Sequence, residues 1–178
     1  MLKVAFVMNP VAGIGGPLAL KGSDTVPDEM RELHRRYAME RSRLFLESLR
    51  SARGELIEEI HWVSVSGAMG GDLFDSFKID YEAVCEPSIP TSAQDTIEAV
   101  KLFQQGGCDL IIFAGGDGTA RNVLEGLESD TKTPIIGLPS GVKMHSGVFS
   151  VTPAATANIV EGLITGQMVN LEMAEIRD

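Results

Sequence analysis

The sequence predicts an α/β fold with an open, mostly parallel sheet and helices on both of its faces. Segments with strand character alternate with segments of helical periodicity about five times along the 178 residues. The strand segments are short, continuous apolar runs such as residues 110–114, which are typical of strands buried on both faces of a parallel sheet. Glycine-rich turns follow several of these runs, at the edge where open α/β sheets bind ligands.

Apolar runs predict the strands, and periodic apolar residues between them predict the helices. The predicted strands are residues 2–8, 56–65, 81–85, 110–114, 133–138 and a last one beginning within 167–176. The predicted helices are residues 28–53 (one long helix or two broken ones), a short one within 66–78, 91–105, one after the turn at 115–119, and 152–166.

Capping residues mark where two of these helices begin. Ser92 with Asp95 has the spacing of a capping box, and Thr152 followed by Pro153 is a hydroxyl cap with proline at the first helical position. The adjacent residues His61 and Trp62 in the second strand predict core packing for both side chains.

Composition and charge exclude several classes of partner. Hydrophobic residues make up 44% and charged residues 22%, as in an ordinary globular domain. The formal net charge of −10 argues against nucleic acid or an anionic membrane as the partner. Cys85 and Cys108 are too few for a disulfide framework or a zinc site and predict reduced packing residues. Without an apolar run near 18 residues or a signal-peptide pattern at Met1, the sequence predicts a cytoplasmic protein.

The first predicted helix carries a basic cluster that could form an anion site. Arg41 and Arg43 belong to it, but Glu40 and Glu47 lie among the arginines. This mixture favours a solvated helix face.

The turn at residues 115–119 is the strongest functional candidate. Its glycines permit close approach of a ligand, and the N–H groups that begin the next helix suit a phosphate. A carboxylate such as Asp117 repels an anion unless a cation lies between them or a proton is to be taken. The turn therefore predicts a nucleotide-phosphate site with Mg²⁺, where Asp117 serves the metal or the attacking hydroxyl. The alternative is an ordinary glycine turn that binds nothing.

Two further loops are expected at the same edge of the sheet. In residues 9–24, Asn9 can hold the turn while Lys21, Ser23 and Asp24 reach a phosphate or its metal; the alternative is a flexible surface loop.

The other loop, residues 139–147, follows the strand at 133–138. It offers Ser140, with Lys143 as a phosphate cation and His145 as a substrate contact or a merely solvated side chain.

A family resemblance rests on these motifs. Residues 115–119 match the GGDGT signature of the superfamily that joins NAD kinases, diacylglycerol and sphingosine lipid kinases and 6-phosphofructokinases. Residues 9–13 (NPVAG) resemble the NPxxG motif of the same group. The longer runs NPVAGIGG, ALKGSD and GGDGTARN are most similar to the ATP-NAD kinase-like family, in its AcoX-type branch. The resemblance covers most of the chain.

The resemblance implies a fold, an activity and a set of site residues. The fold is the Rossmann-like N-terminal domain of the NAD kinase-like fold, in residues 1–166, with residues 167–178 beginning a second, β-rich domain that this chain lacks. The activity is transfer of a phosphoryl group from ATP or polyphosphate, with Mg²⁺, to a hydroxyl of NAD or a related acceptor, in a homo-oligomer. The implied catalytic residue is Asp117, also a possible Mg²⁺ ligand, and the implied nucleotide-binding residues are Asn9, Gly13, Gly115, Gly116, Gly118, Thr119 and Asn122.

Two other functions stay open. One is a nucleotide-binding or regulatory module that does no chemistry. The other is a lipid kinase of the diacylglycerol type, which is disfavoured because residues 139–144 lack the threonine and the Asn-Asp of the PxGTxND-like run. The Gly-x-Leu-Gly-Phe run of NAD kinases proper is missing there too, which leaves NAD as the acceptor open.

Overall fold

The computed structural model describes residues 1–10, 28–52, 56–140, 144–167 and 175–176. Within them the chain forms one sheet whose strands are all parallel, in the order β3-β2-β1-β4-β5. The strands are β1 (Leu2–Met8), β2 (Ile60–Ser64), β3 (Tyr81–Ala83), β4 (Leu110–Gly115) and β5 (Ile135–Pro139). The predicted open, parallel α/β fold is confirmed.

Helices cover both faces of the sheet. They are α1 (Asp28–Ala52), α2 (Gly71–Phe77), α3 (Ala93–Gln105), α4 (Asp117–Gly126) and α5 (Pro153–Ile164), with a 3₁₀ turn at Gly67–Met69. Side chains of α1, α2 and α5 pack on one face, against alternate residues of the strands such as Phe6 and Ile112. Side chains of α3 and α4 pack on the other face, against Val7 and Phe113. Because both faces are covered, the central strands β1 and β4 are apolar along most of their length.

The element boundaries refine the sequence predictions. The first long helix is one unbroken helix, and α5 has its predicted cap, since Thr152 Oγ1 accepts the N–H of Ala155 at 3.1 Å. The second strand is shorter than predicted, because residues 56–59 form a turn before it. The strand predicted within 167–176 falls mostly outside the described residues.

Of the two neighbours predicted to pack in the core, only one does so. Trp62 is buried and donates its Nε1–H to the carbonyl of Ile57 at 3.1 Å. His61 points to the opposite face and is exposed, where its Nε2 lies 2.9 Å from Glu82 Oε2. The prediction for His61 is wrong because successive residues of a strand face opposite sides.

Both cysteines are free, as predicted. Cys108 is buried, and this burial raises the pKa of its thiol to about 11. None of the helices in the described part of the chain has the length and apolarity needed to cross a membrane.

The strand order has a topological switch point between β1 and β4. From β1 the chain moves outward to β2 and β3, and then it crosses back to β4 on the other side of β1. The strands that follow β1 and β4 in the chain, β2 and β5, therefore lie on opposite sides of this central pair. In open α/β sheets such a switch point is where ligands bind.

Candidate functional site

Three strand ends meet at this switch point. The N–H of Asn9, just after β1, donates to the carbonyl of Ala114 in β4 at 2.9 Å. The N–H of Ser140, just after β5, donates to the carbonyl of Gly115 at 3.2 Å. These backbone hydrogen bonds hold the ends of β1, β4 and β5 side by side, at the one edge of the sheet where the loops that follow them were predicted.

The first turn of α4 opens onto the same edge. The helix begins at Asp117, directly after Gly116, whose extended backbone (φ −115°) makes it the N-cap. Because glycine has no side chain, it cannot cap the free N–H groups of the first turn. Such groups, together with the positive end of the helix dipole, can bind an anion.

The glycines of the motif have different roles. A Cβ added to Gly115 would collide with the side chain of Thr119, so this glycine is required by internal packing. A Cβ added to Gly118 would meet no atom within 4 Å among the described residues, and Gly118 is exposed without a left-handed φ. The absence of a side chain at Gly118 leaves room for a ligand close to the backbone.

Asn9 and Thr119 are in direct contact. Asn9 Nδ2–H donates to Thr119 Oγ1 at 3.0 Å, and Thr119 is buried. The Thr119 side chain is thus turned toward the protein, where it joins the end of β1 to the first turn of α4. Asn122 lies one turn further along α4 and is half-buried.

The carboxylate of Asp117 is bound by the loop that follows β5. Its Oδ1 accepts the hydroxyl of Ser146 at 2.6 Å and the N–H of Ser146 at 3.1 Å, and its Oδ2 accepts the N–H of His145 at 2.8 Å. Burial alone would raise the pKa of Asp117. The hydrogen bonds from Ser146 and His145, with the nearby His145 ring, outweigh that effect and lower the pKa below its ordinary value. Asp117 is therefore ionised at neutral pH.

His145 and Ser146 contribute differently from what the sequence predicts. His145 contacts Asp117 through its backbone N–H, while the residue itself is exposed. Ser146 is buried and makes the shortest hydrogen bond to Asp117, yet it was not among the predicted site residues. The sequence signal for Ser146 was its position in a glycine-bracketed loop at the sheet edge. Several other residues of that loop have the same signal, so it does not single out Ser146.

Ser140 and Arg41 complete the edge on the side of β5. Ser140 is fully buried, and its hydroxyl has no hydrogen-bond partner within the part of the chain that the structure describes. Arg41 of α1 donates its Nε–H to the carbonyl of Pro139 at 3.0 Å and is half-buried, so it does not belong to the solvated face predicted for it.

Several predicted site residues have no structural account. Among the described residues, no group of three or more His, Cys, Asp or Glu side chains could hold a metal ion. The predicted candidates that lie outside the described residues are Gly13, Lys21, Ser23, Asp24 and Lys143.

A family model described as ATP-NAD kinase N-terminal domain matches residues 4–168. The chain has no significant match among curated proteins or among solved structures.

Proposed function

The chain belongs to the family of ATP-NAD kinase N-terminal domains, and from that premise we propose that it transfers a terminal phosphoryl group of ATP or polyphosphate to a hydroxyl of NAD or a related acceptor. The observation that carries the proposal is the ionised carboxylate of Asp117 beside the open first turn of α4. N–H donors that can bind a phosphate and a carboxylate that can accept a proton therefore lie at the same strand end.

The phosphate groups bind to the backbone at the start of α4. The N–H groups of Gly118 and Thr119 lie in the first turn of this helix, and the space beside Gly118 allows a phosphate to approach them. Gly115 and Asn9 act indirectly in this proposal, because both fix the Thr119 side chain. Asn122 is left with a role toward a ribose or phosphate oxygen.

Asp117 takes the proton of the acceptor hydroxyl. A carboxylate offers about four acceptor positions, and three are used by Ser146 and His145. The remaining position, on Oδ2, has no partner among the described residues, and it is available to the hydroxyl that attacks the phosphoryl group. General-base help of this kind contributes about 10²–10⁴-fold to the rate.

Mg²⁺ fits this site as an ion carried by the nucleotide. Mg²⁺ is usually held by one or two carboxylates together with substrate phosphates and water. Among the described residues, the open position on Asp117 Oδ2 could contact the ion in the alternative role of this carboxylate, in which Asp117 serves the metal instead of taking the hydroxyl proton. The ion would neutralise charge on the phosphates.

The test is a phosphoryl-transfer assay on the chain and on any longer product of its gene, with ATP or polyphosphate, Mg²⁺ and NAD. Asp117→Asn should reduce NADP formation about 10²–10⁴-fold while ATP still raises the melting temperature. Asp72→Asn is the matched control, because Asp72 is an exposed residue in the first turn of α2. Full activity in Asp117→Asn would remove Asp117 from the chemistry.

A second candidate is a nucleotide-binding module without turnover. It is favoured by the same hydrogen bonds, since Asp117 uses most of its acceptor capacity to hold the loop at residues 145–146. Such a module would bind ATP and form no product from NAD. Product from diacylglycerol in mixed micelles, with none from NAD, would instead indicate the lipid-kinase alternative.

A further inference from the structure

The arginines of α1 with described side chains fall into two groups. Arg43 Nη2 lies 3.3 Å from Glu47 Oε1, and its guanidinium lies over the ring of Phe77. Arg50 also stacks on Phe77 and donates to the carbonyl of that residue at 3.0 Å. Both guanidinium groups therefore contact Phe77 at the surface between α1 and α2, and Arg43 also forms an ion pair.

Arg41 has a different environment. It is half-buried, and its Nε–H is directed to the carbonyl of Pro139 at the end of β5. Across the described residues, no carboxylate forms an ion pair with it. A guanidinium has five N–H donors, so one hydrogen bond to a carbonyl leaves most of them, and the full charge, for another group.

The position of Arg41 relates it to the nucleotide site. Pro139 is the register partner of Gly115, and α4 begins two residues after Gly115. The guanidinium is therefore tethered one strand away from the strand that leads into the first turn of α4. Neighbouring strands lie about 4.8 Å apart, a distance that a polyphosphate chain spans easily.

Ser140 gives a second, independent observation at this place. Its hydroxyl is fully buried beside the Arg41 tether and has no partner among the described residues. Buried polar groups normally have hydrogen-bond partners, and an unsatisfied one calls for an explanation such as a ligand or a water. Arg41 and Ser140 thus place unused hydrogen-bonding capacity at the same strand end.

We infer that Arg41 is a binding residue for the phosphate chain of the nucleotide, a role that rests on the proposed function and extends it. Phosphate matches the planar, two-pronged donor geometry of a guanidinium. A chain with a formal net charge of −10 repels polyanions at long range, so a local cation is needed where they bind. Arg41 supplies that cation beside the helix N-terminus.

The competing explanation is that Arg41 only fastens α1 to β5. Arg41→Gln distinguishes phosphate binding from tethering, because the glutamine amide retains an N–H donor for the carbonyl of Pro139 but has no charge. Arg43→Gln is the matched control, since it removes the same charge two residues away on the same helix.

The experiment is isothermal titration calorimetry of the chain with inorganic tripolyphosphate, ATP and adenosine, at two salt concentrations. Arg41→Gln should weaken the Kd for tripolyphosphate and ATP about 10- to 100-fold and leave the melting temperature and adenosine binding unchanged. The salt dependence of tripolyphosphate binding should also decrease. Arg43→Gln should bind like the wild type.

The outcomes separate this inference from the function on which it rests. Wild-type chain that binds neither ATP nor tripolyphosphate would overturn both the nucleotide site and the role of Arg41. Wild-type chain that binds both, with Arg41→Gln binding equally well, would overturn the role of Arg41 alone and make it a tether.

A second measurement uses the wild-type chain and tests the inference even if Arg41→Gln does not fold. Phenylglyoxal modifies arginine, and mass spectrometry can follow Arg41 and Arg43 together in the wild-type chain. Tripolyphosphate should protect Arg41 and leave Arg43 reactive. Equal labelling of Arg41 with and without tripolyphosphate would count against the inference.

Discussion

Asp117 and Ser146 are 29 positions apart in the sequence, and the Ser146 hydroxyl donates to Asp117 Oδ1 at 2.6 Å. This contact, with the backbone N–H groups of His145 and Ser146, fastens the loop after β5 to the first residue of α4. A negative charge at that place is also stabilised by the helix dipole. One carboxylate thus holds the site loop and keeps one acceptor position on Oδ2 that has no partner among the described residues.

We predict that Asp117 and Ser146 are energetically coupled. In a double-mutant cycle of Asp117→Ala and Ser146→Ala, the coupling energy should be about 1–3 kcal/mol, because hydrogen bonds to charged groups contribute that much. Urea denaturation of the four proteins measures it. The control cycle pairs Asp117→Ala with Ser48→Ala, whose hydroxyl bonds only within α1, and should be additive. Additivity in the Asp117–Ser146 cycle would mean that the contact does not hold the loop.

Gly118→Ala should separate stability from binding. No atom of the described residues lies within 4 Å of a Cβ at Gly118, and alanine is the better helix former, so the free energy of unfolding should stay equal or rise by up to about 1 kcal/mol. ATP binding, followed by calorimetry, should weaken because the methyl group occupies the space beside the first-turn N–H groups. Unchanged ATP binding would place the phosphates elsewhere.

Gly115→Ala is the contrasting substitution in the same motif. Its Cβ would collide with the side chain of Thr119, so the variant should lose about 1–3 kcal/mol of unfolding free energy in urea denaturation. A stability equal to that of the wild type would show that the contact between Gly115 and Thr119 relaxes easily.

The fold could be predicted from the sequence because each strand is a local signal. The runs in β1 and β4 are apolar along most of their length, as is typical of a sheet covered on both faces, and the caps at Ser92 and Thr152 are readable from neighbouring residues. The orientation of His61 was missed because β2 lies next to the short edge strand β3. The amino-terminal end of β2 is open to solvent on the face that carries His61 and is buried on the other face.

The site could be predicted only where it is contiguous in sequence. The turn at residues 115–119 and the strand ends beside it carry their own signal. Ser146 and Arg41 do not, because each acquires its role through a partner far along the chain, and the hydrogen bond of Arg41 to Pro139 spans 98 positions. A serine in a loop and an arginine in a charged helix are common, and tertiary contacts alone distinguish these two.

The capping box of α3 should make stability fall in acid. Burial raises the pKa of Asp95, but the hydroxyl and backbone N–H groups of Ser88 and Ser92 outweigh it and lower the pKa to about 2. The unfolded value is about 3.9. Since the folded-state pKa is the lower one, the stabilisation is present above about pH 4 and is lost as the pH falls toward 2.

Asp95→Asn should therefore lose about 1 kcal/mol at pH 7 and show a flatter decline between pH 4 and pH 2 than the wild type, in urea denaturation at each pH. Replacing both Ser88 and Ser92 by alanine should flatten the decline less, because the backbone N–H donors remain. A decline in Asp95→Asn as steep as that of the wild type would assign the acid sensitivity to other carboxyl groups.

The buried hydroxyl of Ser140 should reduce the stability of the free protein. The Ser140 hydroxyl has no partner among the described residues, and removing such a buried polar group relieves its desolvation penalty, so Ser140→Ala should be neutral or raise the free energy of unfolding by about 1 kcal/mol. Ser64→Ala is the matched control, because Ser64 is also fully buried but donates to the carbonyl of Phe6 at 2.8 Å. That variant should lose about 1 kcal/mol in the same urea measurement. If both variants lose the same unfolding free energy, Ser140 has a hydrogen-bond partner in solution. If Ser140→Ala gains stability while Ser64→Ala loses it, the Ser140 hydroxyl has no partner until a ligand binds.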